Sequence, residues 1–218
     1  MKLINILPAV LISLSSTAWA IDSETWPVLA FRATTALSTS STLDFNVSAR
    51  AVEGFQEHER EIAEIRYGKR FGSNEFMASY NIQFDRNGAP GSEHRLWQQI
   101  RHQFALDSGS VETSLRVEER YFDATDAHGS RLRWLTRRNW PLSTTNQVRL
   151  GYEWVYNLND ISASTQRGTS QDRLIGTFQH NLVNGDRVEL EYQLRLLHVV
   201  GADNRLQNQL QLMYIYNF

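Results

Sequence analysis

The residues of this chain with the most chemistry in them are arginines and glutamates set two apart. Arg95, Arg116, Glu118, Arg120, Arg131, Arg133, Arg149, Glu153, Arg173, Glu189, Glu191 and Arg195 each keep to one parity within their own segments. A spacing of two puts side chains on one face of a strand, and opposite charges on neighbouring strands pair as ladders. Such a set either fills a narrow polar interior with ion pairs or lines a selective pore. Pairing alone implies no activity, because any enclosed charge needs a partner. Of the 22 basic residues only Lys2 and Lys69 are lysines. The planar arginine fork suits dense, partly desolvated pairing with carboxylates, so these twelve residues are the expected lumen-facing polar network.

Catalytic constellations are sparse. His102 and His180 share parity with apolar neighbours and read as interfacial histidines, with His198 at a strand end. Asp126-Ala127-His128, with Asp123 nearby in the same loop, is the one external acid/base pair that an envelope enzyme acting on lipid or peptide could use. The second aspartate pair carried by omptin-type barrel proteases is missing, and solvated loop residues are the ordinary reading. There is no cysteine, no His-x-x-x-His and no glycine-rich phosphate loop, so no metal and no cofactor is expected. Asp44, Asp107 and Asp186 sit beside turns and read as turn formers. Trp26, Trp97, Trp134, Trp140 and Trp154 read as wall and girdle aromatics, with Trp97 on the inward parity.

Strands must carry these side chains, and the clearest is the last. From Asp203 to Phe218, Leu206, Leu210, Leu212, Tyr214, Tyr216 and Phe218 share one parity, while Gln207, Gln209, Gln211 and Asn217 occupy the other. That is a period of two, with an aromatic cluster where an outer-membrane strand places its interfacial girdle. The terminal Phe218 matches the signal by which the barrel-assembly machinery recognises its substrates. Phe76, Ala78, Tyr80, Ile82 and Phe84 alternate without interruption, and so do Val148, Leu150, Tyr152, Trp154 and Tyr156.

Eleven such segments can be placed, joined alternately by short turns such as Asn184-Gly185 and longer polar loops such as Asp123 to Ser130 and Asn157 to Ser170. Bacterial barrels usually have an even strand number. Either Trp26 to Leu37 lies partly inside or outside the wall, or one strand is missed or split, and ten to twelve strands are expected. The fold class is thus all-β, a transmembrane antiparallel up-and-down barrel, with Phe218 on the periplasmic side.

Met1 to Ala20 reads as a secretory signal peptide, with Lys2, an apolar run from Leu3 to Leu14, and Ala18 and Ala20 as the cleavage signature. Residues 1–20 are then removed and 21–218 form the barrel. A formal charge of −2 gives no reason to expect nucleic acid. Outer-membrane lipids, the assembly machinery and a small solute are the expected partners.

The order Trp26, Glu93-His94-Arg95-Leu96-Trp97-Gln98-Gln99, Leu115-Arg116-Val117-Glu118-Glu119-Arg120, Arg131-Leu132-Arg133, Gly151-Tyr152-Glu153 and Gln171-Asp172-Arg173-Leu174 resembles the bacterial domain-of-unknown-function family 2490. The resemblance covers essentially the whole mature chain. It implies an outer-membrane-type barrel with Arg120, Arg131, Arg133, Glu153 and Arg173 as the family-like inward set, and it supplies no reaction. The expected function is a non-catalytic outer-membrane barrel, a narrow or plugged pore or an envelope structural protein.

Overall fold

The structure, a computed structural model, describes residues 23–52, 57–85, 91–161, 166–199, 201 and 203–218. The expected signal peptide lies outside the described residues. Eleven strands follow one another: β1 (Ser23–Ser38), β2 (Ser41–Val52), β3 (Glu57–Phe71), β4 (Asn74–Asp85), β5 (Gly91–Leu106), β6 (Gly109–Phe122), β7 (Ala127–Pro141), β8 (Asn146–Asn157), β9 (Gly168–Asn181), β10 (Arg187–Leu197) and β11 (Arg205–Asn217). Alternation drives each of them, since it gives a strand one face for apolar surroundings and one for a polar interior.

Each strand pairs with the next, antiparallel, and the sheet closes into a barrel. The closing pair is different. β1 and β11 run parallel over twelve residue pairs, from Ser23 opposite Leu206 to Thr34 opposite Asn217. The segment Trp26 to Leu37 therefore belongs to the wall, and the strand number is odd because one seam is parallel. Closure leaves no strand edge, so the ladder groups are satisfied within the wall.

The parallel seam also separates the two ends. Connections of two to five residues, at 39–40, 72–73, 107–108, 142–145 and 182–186, cluster at the end where β11 finishes. β2, β4, β6, β8 and β10 end at the other, where β1 begins, and the sequence between each of them and the next strand runs to four to ten residues. We call these the turn end and the loop end. One short turn demands glycine: Gly109 has φ +104, and a Cβ there would meet the Asn139 carbonyl oxygen at 2.1 Å. The loop predicted from Asp123 to Ser130 is shorter, because Phe122 already pairs with Ala127 and the turn closes through Asp126 at φ 50.

The packing is inverted relative to a water-soluble sheet. Phe31, Phe76, Phe84, Leu96, Leu190 and Leu212 point outwards and are exposed, whereas Glu118, Gln83, Gln209, Asn157 and Thr177 point inwards and are buried. Aromatic side chains gather at both ends of the outer surface. Phe31 stacks on Tyr214 and Tyr216 on Phe218 near the turn end, and Trp154 packs on Tyr156 near the loop end.

Asp186 departs from its reading as a turn former. It is buried, and it accepts hydrogen bonds from the Tyr214 hydroxyl, from the Asn217 backbone N–H at 3.1 Å and from Asn184 Nδ2 at 2.7 Å. It fastens the end of β11 to the β9–β10 turn. The Tyr214 and Asn217 bonds hold its carboxyl below the usual 3.8. A depressed carboxylate contributes stability that is complete above its unfolded pKa and is lost as pH falls through the folded one. The stability gap between wild type and Asp186→Asn, read from heat-resistant migration in detergent gels, is therefore expected to close as pH drops below about 3.8. A gap that is constant down to strong acid would contradict this role.

Candidate functional site

The lumen is built from the inward parity of all eleven strands. An eight-stranded barrel is just filled by side chains, and sixteen or more strands leave an open channel. Eleven strands fall between, and the interior holds two cavities: about 590 Å³ at the loop end and about 520 Å³ at the turn end. Arg116, Arg133 and Arg173 line both, which places a waist at their level.

Two glutamates build the waist. Glu118, 1% exposed, accepts from Arg131 Nε at 2.9 Å, Arg133 Nη1 at 2.8 Å and Arg116 Nη1 at 3.4 Å. Glu153 accepts from Arg133 Nη2 at 2.8 Å and Arg173 Nη1 at 2.9 Å. Arg133 thus links β6, β7 and β8 through charge-assisted bonds to both carboxylates. Arg116 also lies over the Trp97 ring, 4.0 Å from its centroid, and Trp97 Nε1 donates to Glu64 at 3.2 Å.

The other sequence-selected residues fall above and below this level. Arg95 and Arg120 both donate to Glu93 Oε1 in the loop-end half. Arg149 pairs with Glu189 at 2.8 Å in the turn-end half. Glu191 accepts from Thr177 Oγ1 at 3.1 Å and lies in the same half. Arg195 lines the loop-end cavity and donates to the Gln193 and Gln209 amide oxygens.

Some lumen residues were not selected from the sequence. Asp44, read as a turn former, stands inside the barrel as the acceptor for Arg66, its cross-strand neighbour. Trp26, read as a wall aromatic, faces the loop-end cavity with Arg50 4.7 Å from its ring centroid. Both have the inward parity of their strands, and that signal outranks proximity to a turn or a preference for girdles.

On the outer surface near the loop end, histidines meet carboxylates. His128 Nε2 lies 2.7 Å from Glu119 Oε2, which also accepts from Ser130 Oγ at 2.7 Å. Because β7 already begins at Ala127, His128 is a strand residue turned to Glu119 and Tyr121, and its predicted partner Asp126 stays in the turn. Sequence reasoning missed a second cluster, in which Asp123 accepts from the Ser92 hydroxyl and contacts His94 Nε2 at 3.1 Å. The Ser92 bond, then His94, holds the Asp123 carboxyl below its usual value. In the first cluster the Ser130 hydroxyl donates to Glu119, and in the second Ser92 Oγ lies 3.3 Å from His94 Nε2 while its shorter bond goes to Asp123. At the turn end His102 and His180 are bonded to Asn74 and Asn146, each at 2.7 Å.

No curated protein and no solved structure matches the chain. Residues 25–217, which contain the whole lumen just described, match a family model, and the chain belongs to that family, described as protein of unknown function DUF2490.

Proposed function

We propose that this protein is a non-catalytic outer-membrane barrel acting as a narrow pore, with a waist of paired charges. The observation that carries the reading is the inversion of the sheet: a continuous apolar exterior with aromatic ends encloses a lumen whose buried residues are mainly polar. An exposed apolar surface of this extent suits lipid, and a closed barrel is the non-helical form that satisfies its backbone there. Under this reading the short turns face the periplasm and the longer loops face outwards. Phe218, exposed and stacked on Tyr216, then stands at the periplasmic rim. The lipid of that membrane is the partner of the outer face.

Ions crossing the barrel meet arginines at every level, and the waist exchanges ion-pair partners to let them by. Refolded protein in planar bilayers is expected to give small, anion-selective steps, with the selectivity measured as a reversal potential under a salt gradient. A folded barrel that stays silent at both polarities would overturn the pore and leave an envelope structural role. His128, the base in the enzyme alternative, is bonded to Glu119 rather than to Asp126.

A further inference from the structure

The two halves of the lumen are unequally charged. Among the described residues the loop-end cavity is lined by twelve arginines and two glutamates, with Glu93 behind Arg95 and Arg120, whereas the turn-end cavity has ten arginines, five of them shared with the loop end, and six carboxylates. A mobile anion is therefore drawn to the loop end.

Within that half, register sets arginines directly opposite one another: Arg95 with Arg120, Arg116 with Arg133, and Arg173 with Arg195. Like charges so placed repel and need an anion between them. Glu93 Oε1 supplies it to the first pair, accepting from the Nε of both arginines. Glu118 Oε1 supplies it to the second. The third pair is built otherwise. Arg173 Nε donates to Gln171 Oε1 at 2.9 Å, and Arg195 donates to Gln193 Oε1 through Nε at 2.9 Å and Nη2 at 2.7 Å. Gln209 takes a further bond from Arg195, and of this pair Glu153 bonds Arg173, at 2.9 Å. Glu93 stands two residues before Arg95; Gln171 and Gln193 stand two residues before Arg173 and Arg195. Amides occupy the places where a carboxylate bridges the first pair.

We propose that Arg173 and Arg195, with Gln171, Gln193 and Gln209, form a binding site for a small oxyanion of two or more charges, a phosphate-bearing or polycarboxylate solute. Both arginines are 8% exposed, so their charges are held in a low-dielectric wall where an anion is worth more than in water. Guanidinium forks bind oxyanions through paired N–H groups, and Gln171 turned about its last bond offers its NH₂ to the same anion, whereas Gln193 Nε2 is held at 2.5 Å by Glu191. A cavity of about 590 Å³ holds a solute of metabolite size. The site names what the proposed pore would admit, and rests on that reading only in taking the cavity to open at the loop end.

The test is calorimetric titration of the refolded barrel in detergent micelles with inorganic pyrophosphate and with citrate, at low salt. Binding of pyrophosphate alone assigns phosphate-bearing solutes, and binding of citrate alone assigns polycarboxylates. Gln193→Glu supplies the missing carboxylate, and is expected to weaken binding about tenfold or more while thermal stability is kept or raised. Arg195→Gln should weaken binding as well. No heat from either anion with wild type, or equal binding by Gln193→Glu, would overturn the site. Binding to a barrel that is silent in bilayers would remove the pore and leave the site; anion-selective conductance without binding would remove the site alone.

Discussion

Glu118→Gln loses on the order of 3–5 kcal/mol of stability, as expected for removing one partner from a buried ion pair. The carboxylate faces Arg116, Arg131 and Arg133, and its side chain is 1% exposed. Glutamine keeps the shape and one acceptor, but leaves three guanidiniums in the wall with a single shared carboxylate, Glu153, on one of them. The control is Glu191→Gln. Glu191 meets Thr177 and Gln193 through hydrogen bonds, so its loss should cost about 1 kcal/mol. Urea titration of both variants in detergent micelles, followed by gel mobility, measures the difference. Equal midpoints for the two variants would refute the idea that the waist holds the barrel together.

Oxidising Leu29→Cys/Leu212→Cys is expected to close the barrel covalently in nearly every molecule. The two positions are direct partners across β1 and β11, both point outwards, and the chain has no cysteine of its own. Paired positions on adjacent strands lie within the Cα separation a disulfide accepts. If β1 stood outside the wall, Leu29 would have no fixed neighbour and the cross-link would fail.

Periodicity made most of this wall legible. Phe76 to Phe84 and Leu210 to Tyr216 alternate so regularly that only a strand with unlike faces fits, and their inward neighbours were placed by the same reasoning. Alternation is blind to direction, however. Trp26 to Leu37 has the same pattern whether β1 runs with its neighbour or against it, so eleven segments could be counted, within the expected ten to twelve, without revealing that one seam is parallel. His128 was misplaced for a related reason: four residues suffice to turn the chain at 123–126, and polar composition extended the loop too far. Asp44 and Asp186 were read from their nearness to turns, whereas their roles come from Arg66 and Tyr214, partners 22 and 28 residues away. Pairs at such separations exist only once register is known.

The parallel seam also governs how chains of this kind change. The start of β1 and the end of β11 are about 36 Å apart along the strands, eleven steps of about 3.3 Å, on opposite rims. A tight turn, which would join the ends of an even barrel, does not span that distance, so a circular permutant needs a tether of a dozen or more residues running along the wall. Duplication or loss of a hairpin shifts the strand number by two and never reverses the direction of β1 relative to its closing neighbour. A lineage growing from this barrel by hairpins keeps an odd count, and its first and last strands stay parallel however wide the lumen becomes.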